Sequence, residues 1–457
     1  MVVVSSGIKD SLAKRAPISQ SNMNRLQSED RAAHDWYRFV LSFPPHLVSD
    51  YLERFGAKSG DLVLDPFCGT GTTLVECKKQ GIASVGMEAN PMAHFASTVK
   101  TCWDASGDEL ARKAREIAAA VCDHLDAAGT PDTAPLPLFG RSGKARLPPD
   151  LWRLSPEREK LLLRGSISEL PLHKTLVLLK EIERAASASE SRYFRLALAS
   201  ALVLSIGNLH FGPEVGVGPP KADAAVVAPW LQRVETMARD INSIYVRRGV
   251  SATVLSGDAR GLGGLGAALA GRRLSAVITS PPYPNEKDYT RTTRLESVIL
   301  GFINNREQLQ EFKRTLMRSN TRNVYKGDDD GRWVASNATV QSLVAAIEAR
   351  RLELGKTSGF ERMYAKVTEL YFGGMVRHLA TLRQYLQDGA RLAYVVGDQA
   401  SFFQVMIRTG TILAEIAERL GYEVVGLDLF RTRLATATRQ QLREEVLVLR
   451  WPGETAR

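Results

Sequence analysis

The sequence predicts an α/β fold: one doubly wound, mostly parallel sheet of seven strands, interrupted by helical insertions. Three observations carry this. First, the apolar run Asp61-Leu-Val-Leu-Asp65 ends in Pro66 and a glycine turn, then gives way to a helical stretch and a second apolar run, Ala83-Ser-Val-Gly-Met-Glu88. Strand, turn, helix and strand make a βαβ unit, the building block of parallel sheets. Second, strand-like runs recur at Ala252–Ser256, Ser275–Thr279 and Arg391–Val396, separated by helical stretches. Third, Glu423–Leu429 and Glu445–Arg450 lie close together near the end, joined by a basic connection, and suit an antiparallel pair that closes the sheet.

In chain order, residues 1–33, rich in Ser, Lys and Arg, read as a mobile N-terminal arm. From His34 to Phe55, aromatic and apolar residues recur with helical spacing around a Phe43-Pro44-Pro45 break, and 34–103 forms the first part of the sheet domain. Residues 104–245 are mostly helical in pattern, broken by Gly/Pro-rich loops at Gly129–Pro149 and Gly212–Pro220. Residues 246–303 return to the sheet, 304–360 form a second, polar helical insertion, and 361–457 carry the last strands. The insertions are not needed to complete the sheet. The larger one carries Arg141, Lys144, Arg146 and Arg153 and is expected to select the target. No internal repeat is visible.

Composition excludes several classes. With 457 residues, 44% hydrophobic and 24% charged, the chain is neither disordered nor fibrous, and it is long enough for two or three domains. The longest apolar stretch, near Leu196–Ile206, is too short to span a bilayer, and Met1-Val-Val-Val-Ser-Ser does not open a secretory signal. A cytoplasmic protein with no membrane partner is expected. The 4 cysteines, Cys68, Cys77, Cys102 and Cys122, form no Cys-x-x-Cys pair, so neither a zinc ribbon nor a disulfide framework is supported, and no metal site is expected. Sixty Lys+Arg against 50 Asp+Glu leave a net charge of +10, which suits a polyanionic partner but is shared by many basic enzymes without one.

Two local motifs carry chemistry. In Asp65-Pro-Phe-Cys-Gly-Thr-Gly-Thr-Thr73, Gly69 and Gly71 permit a tight turn and a close backbone approach. A dinucleotide fingerprint would need glycine at Leu74, and a phosphate-cradling P-loop would need a lysine directly after Gly71; neither is present. Glu88 follows at the distance where an acid holds ribose hydroxyls, so the turn suits a nucleoside ligand without pyrophosphate. An ordinary glycine turn with a solvated Glu88 stands beside that reading. The second motif, Ser280-Pro-Pro-Tyr283, follows the fourth strand directly. Its prolines have fixed φ and no N–H, so they stiffen the loop and leave carbonyl oxygens as acceptors, while Tyr283 adds an aromatic face. Acceptors beside a ring suit the exocyclic amine of a planar base; a strand-ending turn is the plainer alternative. In a doubly wound sheet the first and fourth strands are neighbours, so both motifs are expected to face one crevice.

Together these motifs resemble the S-adenosylmethionine-dependent DNA amino-methyltransferases of cytosine-N4 and adenine-N6 type. The resemblance extends to Gly257-Asp-Ala-Arg260 and to His34 through Leu52, and covers about half the chain. It implies a Rossmann-like methyltransferase sheet, with Asp65, Phe67, Gly69 and Gly71 in the loop for S-adenosyl-L-methionine and Thr72 and Thr73 near its carboxylate. Glu88 would hold the ribose, and Asp258 with the Ala259 backbone the adenine; a helix N-cap is the alternative role for Asp258. Ser280, Pro281, Pro282 and Tyr283 would form the catalytic loop. Double-stranded DNA is the implied partner, and a cognate restriction or defence nuclease fits beside it.

Cytosine N4 is the expected target atom. Adenine N6, an RNA amine, or a non-catalytic DNA-binding subunit with this fold are the alternatives. Lys287, Arg291 and Arg294 follow the catalytic loop with Tyr289 among them and suit phosphate contacts, or a solvated face paired with Glu286, Asp288 and Glu296. Arg431, Arg433, Arg439 and Arg443 suit either a backbone grip or a soluble loop, and His210 reads as structural.

Overall fold

The computed structural model describes residues 26, 30–37, 43–132, 150–211, 215–285, 287–434 and 441–453. Most of the expected N-terminal arm therefore lies outside the described residues, as do Arg141, Lys144, Arg146, Glu286 and Arg439. The strands are β1 (Leu62–Asp65), β2 (Ala83–Glu88), β3 (Leu209–Phe211), β4 (Val215–Val217), β5 (Ala252–Ser256), β6 (Leu274–Thr279), β7 (Leu386–Gly397), β8 (Glu423–Leu434) and β9 (Gln441–Arg450). Seven of them form one sheet in the order β5-β2-β1-β6-β7-β9-β8. The pairs from β5 to β7 are parallel, and β9 runs antiparallel between β7 and β8. This is a Rossmann-like α/β fold, and the seven expected strands are all in it. The ribbon β3–β4 was not foreseen, because three-residue strands in a glycine-rich stretch leave no readable alternation.

The central strands read as nearly continuous apolar runs because helices cover both faces of the sheet. Alternate residues point to opposite sides. On one face Val63, Ala276, Ile278, Ala393, Val395, Val446 and Val448 pack with Leu47, Val48 and Leu52 of the helix Pro45–Phe55. On the other, Leu64, Val277, Leu392, Tyr394, Leu447 and Leu449 lie among Tyr371, Phe372 and Leu379 of the helix Tyr364–Leu382. The smaller insertion joins this second layer, since the helix Ala338–Glu353 buries Val340 and Ile347 there.

The larger insertion builds its own core. Helices Gly107–Ala127, Glu169–Ala185, Ala188–Ala201 and Val227–Ile244 bury Leu110, Ile117, Leu178, Phe194, Leu198, Trp230 and Ile241 together. That core runs on into Val75, Met92, Ala96 and Val99, which belong to the helices Thr72–Lys79 and Pro91–Lys100 of the sheet domain. Among the described residues no helix is long and apolar enough to cross a membrane.

Candidate active site

β1 and β6 pair in parallel register, Val63 opposite Ala276, so their carboxyl ends emerge side by side. The glycine turn after β1 and Ser280–Tyr283 after β6 then face one cavity of about 390 Å³. Its walls also take Met87–Asn90 beyond β2 and Gly257–Ala259 beyond β5. Of the residues singled out in the sequence, Phe67, Gly69, Thr72, Glu88, Asp258, Ala259, Ser280, Pro281, Pro282 and Tyr283 all line it.

Asp65, Gly71 and Thr73 do not line this cavity; they brace its wall from behind. The Asp65 carboxylate accepts from the Thr279 hydroxyl at 2.6 Å and from the Phe67 N–H at 3.1 Å, tying β1 to β6, and burial raises its pKa to about 6. Thr73 donates to the Ile278 carbonyl at 3.2 Å. Gly71 has φ +86°, and a Cβ there would lie 2.6 Å from Ser97 Oγ and 3.2 Å from Ser97 Cα. The close backbone approach at Gly71 is thus made to the helix Pro91–Lys100. Gly69 instead stands in the cavity wall with nothing within 4 Å of where its Cβ would be.

Glu88 is half-buried in the wall and accepts from the N–H groups of Gly69 (2.8 Å) and Asn90 (2.7 Å). Burial pushes its carboxyl up to about 7. Asp258 is held by Arg260, whose Nη2 and Nε lie 2.6 and 3.0 Å from its Oδ2, and Arg260 in turn pairs with Asp330 at 2.6 Å. The Asp258 side chain also accepts from the Arg260 N–H, which shapes the turn that presents Ala259. Ala259 is fixed from a distant element: its carbonyl lies 2.7 Å from His378 Nδ1, and His378 Nε2 lies 2.7 Å from the Tyr394 hydroxyl. A carbonyl only accepts, so Nδ1 carries the proton and Nε2 accepts from Tyr394. Burial lowers the pKa of His378 to about 4 and keeps it neutral.

In the loop after β6, the Ser280 hydroxyl donates to the Val395 carbonyl at 3.1 Å. Its proton is therefore engaged with β7, while its oxygen keeps acceptor capacity toward the cavity. The Tyr283 ring rests on Gly397 at the end of β7, where an added Cβ would sit 2.9 Å from Tyr283 Cε2. Neither His378 nor Gly397 gave any signal in the sequence, because each acts on a loop far away in the chain.

Phe43, Asn285, Lys287, Tyr289, Phe430, Arg431, Arg433 and Glu444 complete the rim. Arg431 pairs with Glu444 at 2.5 Å, and Arg443 with Asp398 and Glu445. Arg294 is buried and donates to Thr290 and to the Leu161 carbonyl, which leaves it no role at the surface. His210 is exposed on the ribbon and outside the cavity, and Arg153 forms an exposed pair with Glu169.

Comparison with known proteins follows the same outline. The DNA methylase family matches residues 11–97, the segment that holds the glycine turn and Glu88. A Type II methyltransferase, M.BsoBI, of Geobacillus stearothermophilus is 23% identical over 447 residues, covering 90% of this chain and 83% of that protein. The Type II methyltransferase M.AvaI of Nostoc sp. is 24% identical over 470 residues, covering 97% and 90%. Together these matches support an S-adenosylmethionine-dependent amino-methyltransferase family for the chain. A shorter likeness, 34% over 73 residues and 16% of this chain, is to a tRNA (guanine(10)-N2)-dimethyltransferase of Methanothermobacter thermautotrophicus, and it covers 20% of that enzyme.

The cavity fits the methyl donor of this amino-methyltransferase family. Its volume lies within the usual range for small-molecule sites. Glu88 offers a desolvated carboxylate for hydroxyl groups, Phe67 and Met87 give apolar surface, and Gly69 leaves its stretch of wall open.

One buried acid supporting the site yields a pH test. Glu296, on the helix Arg294–Ile299 just past Ser280–Tyr283, accepts from the Tyr37 hydroxyl, and its Oε2 has no hydrogen-bond partner among the described residues. Burial raises its pKa from 4.5 to about 7. The stability it lends is intact below pH 4.5 and is lost as pH rises through 7, where the folded chain must bury a carboxylate. Glu296→Gln keeps an acceptor for Tyr37 and cannot ionise. Its melting temperature is expected to gain on the wild type as pH climbs through that window, measured by calorimetry across buffers. A difference independent of pH would refute this.

Proposed function

We propose that this chain is a DNA methyltransferase of the Type II restriction-modification kind that methylates the exocyclic amine of a flipped-out base, cytosine N4. The observation that carries the reading is the meeting of Ser280–Tyr283 and the glycine turn in one cavity, with the Ser280 proton engaged by Val395. The length of the match to the two Type II methyltransferases supports the restriction-modification assignment.

Glu88 would accept the ribose hydroxyls of S-adenosyl-L-methionine, with Thr72 near its carboxylate and the Asp258–Ala259 turn at its adenine. When bound, that cofactor supplies an electrophilic methyl group on a sulfonium. This chain's own work lies on the acceptor side. A base amine is conjugated to its ring and stacked in the duplex, so flipping it out costs a few kcal/mol. Tyr283 would stack on the extruded ring, and the Ser280 oxygen and Pro281 carbonyl would accept hydrogen bonds from the amine, making its nitrogen more nucleophilic. The surplus amine proton would pass to solvent once the nitrogen carries the methyl group. No cysteine nucleophile is called for. Cys68, which borders the cavity, is buried and its thiol is pushed well above the usual range.

The family resemblance supports cytosine, since members with Ser at the first motif position are more often cytosine enzymes; as a neutral acceptor Ser280 suits either amine. The test is incubation with labelled donor and separate DNA and RNA, followed by nucleoside digestion and mass analysis. N4-methylcytosine in DNA is the expected product. N6-methyladenine would overturn the choice of base and leave the mechanism standing, while label confined to RNA would overturn the substrate.

A further inference from the structure

On one side of the cavity mouth, basic side chains outnumber acids among the described residues. The imbalance bears on how DNA is held, and so rests on the reading just given. Lys287 lines the cavity directly beyond Ser280–Tyr283. Next to it stands Asp288, and Lys313 is electrostatically coupled to that one acid and to three bases, Arg291, Arg294 and Arg322. Lys313 comes from the end of the helix Arg306–Thr315 and Arg322 from the turn Thr321–Asn323, so the smaller insertion supplies two of these bases. Asp288 is largely committed: its Oδ1 accepts from the Thr290 N–H and hydroxyl, and its Oδ2 lies 3.9 Å from Arg322. Burial is the main cause that depresses the Lys313 ammonium; Asp288 opposes it, and Arg294, Arg322 and Arg291 add to it. The buried Nε of Arg291 has no hydrogen-bond partner among the described residues. Across the mouth the balance differs, because Arg431, Arg433 and Arg443 are answered by Glu444, Asp398 and Glu445.

We propose that Lys287, Arg291, Lys313 and Arg322 form the main phosphate-binding site for the target strand beside the cavity. The site is wired to the catalytic loop. The Asn285 N–H donates to the Ser319 carbonyl at 3.0 Å, and the Asn320 amide donates to the Lys287 carbonyl at 3.0 Å. A backbone phosphate held here therefore bears on the segment that carries Ser280–Tyr283.

The test uses the full chain and a labelled duplex of about 30 bp and mixed sequence, titrated at several salt concentrations, since phosphate contacts need no particular bases. Lys313→Gln/Arg322→Gln is expected to weaken binding by at least about tenfold and to lower the slope of log affinity against log salt by about 1.8, with cofactor affinity unchanged. The charge-retaining Lys313→Arg/Arg322→Lys should keep the slope, which separates lost charge from lost folding. Wild-type binding with an unchanged slope in the Gln pair would overturn this site alone. A wild type that binds no duplex would overturn the DNA reading beneath it.

Discussion

Replacing Tyr283 with alanine is expected to slow methyl transfer by one to two orders of magnitude while cofactor affinity stays within about twofold. Stacking of a base on an aromatic side chain contributes about 1–3 kcal/mol, and each 1.36 kcal/mol is a factor of ten in rate. The ring would act on the base alone, so its loss falls on transfer to DNA and not on donor binding. Tyr283→Phe keeps the face and should keep most of the activity. Gly397→Ala approaches the same ring from behind, placing a methyl 2.9 Å from Cε2, and should reproduce part of the loss. Single-turnover rates with calorimetric cofactor titrations separate the two effects. Full activity in a folded Tyr283→Ala chain would remove this loop from the chemistry.

The second large effect is expected at Gly71. Valine there meets two obstacles: a left-handed backbone at φ +86° that a β-branched residue resists, and a Cβ driven against Ser97. The strain alone is of order 1–3 kcal/mol, and overpacking adds a similar amount. The turn must lift away from the helix Pro91–Lys100, carrying Phe67 and Gly69 with it, so cofactor affinity should fall by at least about tenfold along with the melting temperature. The origin of the effect can be separated from ligand contact. In Gly71→Ala, a second change, Ser97→Gly, removes the Oγ and Cβ and should recover part of both losses. No recovery would show that the collision with Ser97 is not the cause.

Much of this was readable in the sequence, for identifiable reasons. Strands buried on both faces announce themselves as unbroken apolar runs, and the doubly wound order makes the strands of Leu62–Asp65 and Leu274–Thr279 neighbours, so their two loops were expected to meet. Sequence gives a residue's place along a loop but not the direction its side chain takes. Within one motif Phe67, Gly69 and Thr72 reach the cavity while Asp65, Gly71 and Thr73 turn to the scaffold. Residues that act across the fold were invisible for a different reason. His378 orients Ala259, and the Asn320 amide holds the Lys287 carbonyl, through contacts that no local pattern records. The acids after Ser280–Tyr283 show the converse, since Glu296 looked like a surface partner for nearby bases and is instead buried against Tyr37.

The placement of the larger insertion has a consequence for assembly. The chain leaves the sheet after Glu88 and returns at Ala252 to pair with the very strand it left, Ser84 opposite Ala252 through Glu88 opposite Ser256. Closing so long a loop costs entropy unless the intervening chain has already drawn its ends together. The first and last helices of the insertion are built to do this, meeting so tightly that a Cβ on Gly107 would lie 2.2 Å from the Ala238 carbonyl. During synthesis the outer edge of Ala83–Glu88 therefore waits, with its backbone N–H and C=O groups unpaired, until that bundle has formed. An open strand edge is a template for pairing with other chains. Destabilising any of the four helices is therefore expected to lower the yield of folded protein, through aggregation at a strand that none of them contains.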